Sequence, residues 1–186
     1  MRQRPGSSGL PLPVTEIRIE LEERPAPAGT HGEIAVRGPT VSPGYLGQKE
    51  RFAANRQDGW LRTGDLGWLD DDGYLYILSR RDDLIISGGE NIYPAEVEAI
   101  LAMHPAIAGA AVVGESDALW GEVPVAFVEL RPGTHVSEDE IRAFCASRLA
   151  RYKCPRRIIW VESLPRNAAG KVMRRELRKH NEGMAR

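Results

Sequence analysis

The chain has 186 residues, 42% of them hydrophobic and 27% charged, with a formal net charge of -1. That length holds one sizeable core or two small ones, and that charge offers no ground for nucleic acid or an acidic membrane as a partner. No stretch approaches the roughly 18 apolar residues of a membrane span, the opening MRQRPGSSGLPLP lacks an apolar leader core, and Cys145 and Cys154 are too few for a disulfide framework or a zinc site; a reducing cytoplasm is expected.

Residues 14–22, VTEIRIELE, alternate with period 2, placing Ile17, Ile19 and Leu21 on one face and Glu16, Arg18, Glu20 and Glu22 on the other. That pattern predicts a half-buried strand. GEIAVR, Gly32 to Arg37, repeats it after a glycine-rich break. SPGY and then DDDGY (Asp70 to Tyr74) carry turn chemistry, and Tyr74 to Leu78 reads as a short buried strand. After Arg80 the period changes. Pro94 to Met103, with Val97, Ile100 and Leu101 at i, i+3 and i+4, predicts a helix opening on proline and stopping before His104-Pro105. Ile107–Val113 and Val123–Leu130 read as strands. Ser137 to Glu140 fits a capping box, and the helix it opens carries Ile141, Phe144, Cys145 and Leu149 on one stripe. Ile158–Val161 predicts another strand and Val172–His180 a last helix. The fold class is therefore α+β. A β-rich segment, residues 1–81, precedes a β-α-β-β-α-β-α unit, residues 82–186, with a mixed sheet and flanking helices.

Three segments carry candidate chemistry. In DGWLRTGDLG, Asp65 sits in a glycine-flanked turn where a carboxylate can cap the turn or accept both hydroxyls of a vicinal diol. In SRRDDLIISGGENIYPAEVE, Arg80 ends a strand, offering its donor fork to phosphate or to a surface ion pair, and Gly88-Gly89 marks a hairpin turn or a close backbone approach to a ligand. In LPRNAAGKVMRRELRK, Lys171 follows Asn167-Ala168-Ala169-Gly170, a flexible tip from which a long stem reaches outward. From Arg148 to Lys179 eleven bases face only Glu162 and Glu176, either a solvated face or a surface that meets phosphates. Aromatic interleaving is confined to Tyr152 and Trp160, which weighs against nucleic acid.

Taken in order, these segments resemble the C-terminal signature of the adenylate-forming superfamily, which includes acid–CoA ligases, luciferases and peptide-synthetase adenylation domains. The family's R-T-G-D, G-R-x-D and P-R-x-x-x-G-K motifs correspond to Arg62–Asp65, Ser79–Asp82 and Pro165–Lys171, with Ser79 standing where glycine is usual. Gly32–Gly47, GEIAVRGPTVSPGYLG, matches a further family stretch. SGGENIYPAEVE resembles ligases acting on fatty acids and on o-succinylbenzoate, an acid of menaquinone biosynthesis. The resemblance implies ATP-dependent activation of a carboxylic acid to acyl-AMP, then thioester formation with CoA. It implies that residues 1–81 end the large AMP-binding domain and that residues 82–186 form its mobile small domain. Asp65 is implied to hold ribose hydroxyls of ATP and AMP, Arg80 to support them, Asp82 to act as the hinge, Lys171 to contact the carboxylate and α-phosphate, and Gly89 to line the pantetheine channel. The family's phosphate loop and aromatic-G-x-T-E segment, which hold Mg2+ and the acid, are expected to precede Met1. Stand-alone activity is accordingly not expected. The alternatives are a non-catalytic module binding CoA or a partner, and one half of a split enzyme.

Overall fold

A computed structural model describes residues 4–44, 47 and 49–184, with the backbone alone at 49–51 and 182–184. Tyr45 and Leu46 of the Gly32–Gly47 stretch lie outside the described residues, as do residues 1–3. The chain divides into two units, Met1–Asp82 and Asp83–Arg186.

The first unit is built on antiparallel strands β1 (Glu16–Leu21), β2 (Arg24–Pro25), β3 (Gly32–Arg37), β4 (Arg56–Gln57), β5 (Trp60–Leu69) and β6 (Leu75–Arg80), with a short helix α1 (Lys49–Ala54) between β3 and β4. The order is β2-β1-β3-β5-β4, and β6 also lies against β5. Asp58-Gly59 supplies the two positive φ angles (50° and 81°) that turn β4 into β5, the geometry that Asp-Gly favours in a two-residue hairpin. The core is small: Ile19, Ile34 and Leu75 are buried, with Ile17, Val36 and Leu69 packed around them.

Two details depart from strict alternation. Leu21 is exposed and Glu20 is buried. The strand ends at Leu21 because Glu22 and Glu23 take positive φ (50° and 66°) to reach β2, while Glu20 is drawn inward by two arginines. The strand expected to stop at Leu78 runs on to Arg80, and Ile77 within it is exposed, so only Leu75 at its start is fully buried.

The second unit contains β7 (Ile85–Ser87), β8 (Glu90–Ile92), helix α2 (Pro94–Ala102), β9 (Ile107–Asp117), β10 (Gly121–Leu130), α3 (Glu138–Ala146), β11 (Arg157–Val161) and α4 (Arg174–Met184). The sheet runs β11-β10-β7-β8, with β9 on the other flank of β10. β10 and β11 are parallel, which requires a crossover, and α3 supplies it. Residues 123–128 of β10 are all buried because both faces of the sheet are covered. Val112, Ala126 and Val128 pack with Val97 and Leu101 of α2 and Ile141 and Cys145 of α3. Ala111, Val113, Val125 and Phe127 pack on the opposite face with Leu177 of α4 and with Leu164 from the loop after β11.

The expected capping box is formed. The Glu140 N–H donates to Ser137 Oγ (3.2 Å) and the Ser137 N–H donates to Glu140 Oε2 (2.8 Å). α3 nevertheless stops at Ala146, so Leu149 reaches the core from the loop beyond. The last helix begins at Arg174 rather than Val172, since Val172 bridges to Arg166 instead. Among the described residues no helix is long and apolar enough to cross a membrane.

Candidate functional site

Asp65 is set by an irregularity inside β5, not by a turn. Glu33 pairs with Leu66 and Ala35 with Arg62, so Thr63, Gly64 and Asp65 share the space opposite Ile34. This is a bulge, the device by which a sheet re-aims a side chain, and Gly64 takes the positive φ (75°) it needs. The Thr63 hydroxyl donates to the Ile34 carbonyl (2.9 Å) and accepts from the Asp65 N–H (3.1 Å), while Glu33 Oε1 accepts from the Gly64 N–H (3.2 Å). Asp65 then stands in register with Arg80 on β6. Asp65 Oδ1 lies 2.7 Å from Arg80 Nε, with the two side chains 30% and 55% exposed. The two readings of Arg80, ion pair or ligand contact, are thus compatible: it is paired, with Asp65, at a solvent-accessible place. Ser79 fits the strand, donating its hydroxyl to the Arg80 carbonyl (2.7 Å).

Arg62, first residue of the same motif, is an anchor. Its Nε donates to Glu20 Oε2 (2.8 Å), and its Nη atoms donate to Glu23 (2.9 Å) and Gln57 (3.1 Å). Burial pushes the Glu20 carboxyl up, but the hydrogen bonds from Arg62 and Arg18 outweigh it and hold the group below the usual carboxylate range. Sequence reasoning missed Thr63 and Glu33 as the residues that shape the bulge. Glu33 was legible only as an outward glutamate on a strand, yet its other oxygen also accepts from Arg81 Nη1 (3.1 Å).

Asp82 lies in the short helical turn Arg81–Asp83, with its side chain exposed. Gly88 and Gly89 form the hairpin turn between β7 and β8, at φ 60° and 85°. Gly89, the residue singled out from sequence, has open space where a Cβ would stand, whereas a Cβ on Gly88 would lie 2.7 Å from the Trp120 ring. The Gly88 N–H donates to the Trp120 carbonyl (2.8 Å). Trp120 is therefore the missed residue here, held by an aspartate turn in which Asp117 Oδ1 accepts from the N–H groups of Leu119 (2.9 Å) and Trp120 (3.0 Å).

Lys171 is exposed, as expected, but its tip is ordered by hydrogen bonds rather than loose. Asn167 Oδ1 accepts from the N–H groups of Ala169 (3.0 Å) and Lys171 (2.9 Å). The Asn167 N–H donates to the Lys171 carbonyl (2.9 Å), and Arg166 Nη1 donates to the Gly170 carbonyl (2.9 Å). Asn167, read from sequence only as part of a flexible tip, fixes where the lysine backbone lies. The basic run is not a uniform solvated face either: Lys153 pairs with Glu96 (2.8 Å), Arg174 with Glu98 (2.7 Å) and Arg178 with Asp83 (2.9 Å).

The structure thus joins Asp65 to Arg80 in the first unit, and carries Gly89 and Lys171 on separate loops of the second. Among the described residues no three His, Cys, Asp or Glu side chains stand together as a metal-ion site, and no step below is routed through Mg2+.

Two family descriptions match this arrangement. The AMP-binding enzyme family matches residues 1–46, and the AMP-binding enzyme C-terminal domain matches residues 96–171. Both matches are to AMP-binding, adenylate-forming enzymes, so the chain carries segments of that family at residues 1–46 and 96–171. Within that family it is 52% identical over 179 residues to the 2-succinylbenzoate–CoA ligase of Bacillus cereus, and 52% identical over 174 residues to that of Geobacillus kaustophilus. These alignments cover 96% and 94% of this chain but only 37% and 36% of the relatives. Among solved AMP-binding enzymes, the o-succinylbenzoate–CoA synthetase of Bacillus subtilis, in complex with its acyl-adenylate intermediate, superimposes with a TM-score of 0.87 at 49% identity, over 92% of this chain and 35% of that one. ATP-bound MatB from Rhodopseudomonas palustris gives 0.92 at 36% identity, over 98% and 37%.

Proposed function

We propose that this chain supplies the adenylate-holding edge and the small domain of an AMP-forming acid–CoA ligase, acting in the cytoplasm on ATP, CoA and a carboxylic acid. The observation that carries the reading is the Asp65–Arg80 pair, 2.7 Å apart on neighbouring strands and half-open to solvent. A carboxylate beside a guanidinium offers acceptors to ribose hydroxyls and donors to phosphate from one fixed place. The names of the relatives, at about half identity, support 2-succinylbenzoate as the acid, and a panel of acids including fatty acids tests that assignment.

The chemistry proposed has two steps. A carboxylate oxygen attacks the α-phosphorus of ATP, the bond to pyrophosphate breaks, and acyl-AMP forms. The CoA sulfur then attacks the acyl carbon and AMP leaves. Negative charge grows on the α-phosphate oxygens in the first step, and the role proposed for the Lys171 ammonium, carried on its hydrogen-bonded turn, is to stabilise it. The second step needs Lys171 out of the way and Gly89 beside the incoming pantetheine, so the second unit turns about Asp82.

The test uses the assembled ligase, this chain together with the AMP-binding portion of a relative. Lys171→Ala is expected to slow pyrophosphate release by about a hundred- to a thousandfold, while leaving conversion of supplied acyl-adenylate to thioester nearly untouched. Equal losses in both half-reactions would remove Lys171 from adenylation.

A further inference from the structure

Helix α4 begins against local preference. A helix N-terminus attracts negative charge and repels cations, yet Arg174 and Arg175 open this one. Glu176 in the same turn offsets part of that charge, but a local rule broken at the first two positions points to a longer-range purpose, and Arg174 has one. Its Nη2 donates to both oxygens of Glu98 on α2 (2.9 and 2.7 Å), and its Nη1 lies 3.6 Å from Asp83 Oδ2. The assembly is braced further. Glu98 Oε1 also accepts the Val112 N–H (2.8 Å), and Arg178, one helical turn along, donates to Asp83 Oδ1 (2.9 Å). Arg174, Glu98 and Asp83 are each only 18–21% exposed, far drier than the Asp65–Arg80 pair, so the fork geometry is retained at lower dielectric.

What this latch connects is specific. Arg174 stands three residues after Lys171, and the stem between them is closed by the Arg166–Val172 bridge and by the Met173 N–H donating to the Pro165 carbonyl (2.8 Å). Asp83 is the residue directly after Asp82. We propose that Arg174 is a positioning residue for Lys171: through Asp83 and Glu98 it ties the lysine turn to the first residue beyond the hinge, so that turn, helix and hinge end move as one piece. The inference rests on the adenylation role given to Lys171. Placement of that ammonium then depends on a guanidinium that touches no substrate.

In the assembled ligase Arg174→Met keeps the stem and removes the fork. A displacement near 1 Å costs about a hundredfold in rate, so pyrophosphate release is expected to fall by about ten- to a hundredfold. Thioester formation from supplied acyl-adenylate should change less than about twofold, because Lys171 is absent from that step. Arg174→Lys should fall between, since a point charge cannot engage both carboxylates; it also carries the test if the methionine variant fails to fold. Lys171→Ala combined with Arg174→Met should be no slower in adenylation than Lys171→Ala alone, the signature of one residue acting through another. Equal losses in both half-reactions, additive losses in the double variant, or an unimpaired Arg174→Met beside a crippled Lys171→Ala each overturn the inference alone. Unimpaired adenylation in Lys171→Ala overturns the functional reading as well.

Discussion

Asp65→Asn separates a ligand contact from a structural cap, because the two roles predict opposite outcomes in two simple measurements. Asparagine keeps the shape and removes the charge. The pair with Arg80 is 2.7 Å long but 30% and 55% exposed, and exposed ion pairs contribute about 0.2–1 kcal/mol. The bulge does not depend on the Asp65 side chain: Thr63 Oγ1, the Ile34 carbonyl and Glu33 hold it through main-chain groups. Loss of stability should therefore stay at or below about 1 kcal/mol, a shift of about 4–8 °C in Tm for a unit of this size. Affinity for AMP should suffer more. A hydrogen bond to a charged group contributes about 1.5–3 kcal/mol, which is roughly a ten- to a hundred-and-fiftyfold weaker Kd. Thermal unfolding of this chain gives the first number, and calorimetric titration of AMP into the assembled ligase gives the second. A Tm that collapses while AMP affinity stays unchanged would show that Asp65 caps the fold and binds nothing.

Asp82→Pro should block rotation while sparing the first half-reaction, since proline locks φ near −65°; stopped-flow comparison of the two steps reads this, and an unchanged overall rate disposes of the hinge. Gly88→Val should destabilise the second unit by about 2–4 kcal/mol, from positive φ and from crowding against the Trp120 ring. Gly89→Ala, with open space at its Cβ, should cost only about 1–2 kcal/mol, and melting curves that rank the two the other way refute the Trp120 argument. Burial raises the Cys145 thiol from 9.0 to about 11. The folded state thus favours the protonated form. Its contribution is fully present below pH 9 and lost as pH climbs toward about 11, so Tm should fall across that window and fall less in Cys145→Ala, measured from each variant's own neutral-pH value. Identical alkaline profiles contradict the assignment.

Much of the chain's local structure was legible in its residues. Period-2 patterning found β1 and β3, the Ser137–Glu140 box found the start of α3, and Pro94 found the start of α2, because each of those signals acts between near neighbours along the chain. The order of three short motifs was enough to reach the family. What those motifs do in space was not legible. Asp65 read as a turn because glycines flank it, whereas pairing with β3 turns the same residues into a bulge that presents the carboxylate to Arg80. Lys171 read as a loose tip, whereas Asn167 and the stem to Pro165 hold it.

Sequence alone therefore determined which residue types stand at which spacing, and with them the β-rich segment, the α+β unit and the candidate chemistry. Tertiary structure decided the partners: Glu20 turned inward to Arg62, Glu98 joined to Arg174 across 76 positions and Asp83 to Arg178 across 95. Pairs so distant in sequence carry no periodic signal. They form only when strand register and helix packing bring opposite charges together out of bulk water, where the attraction is strong enough to matter.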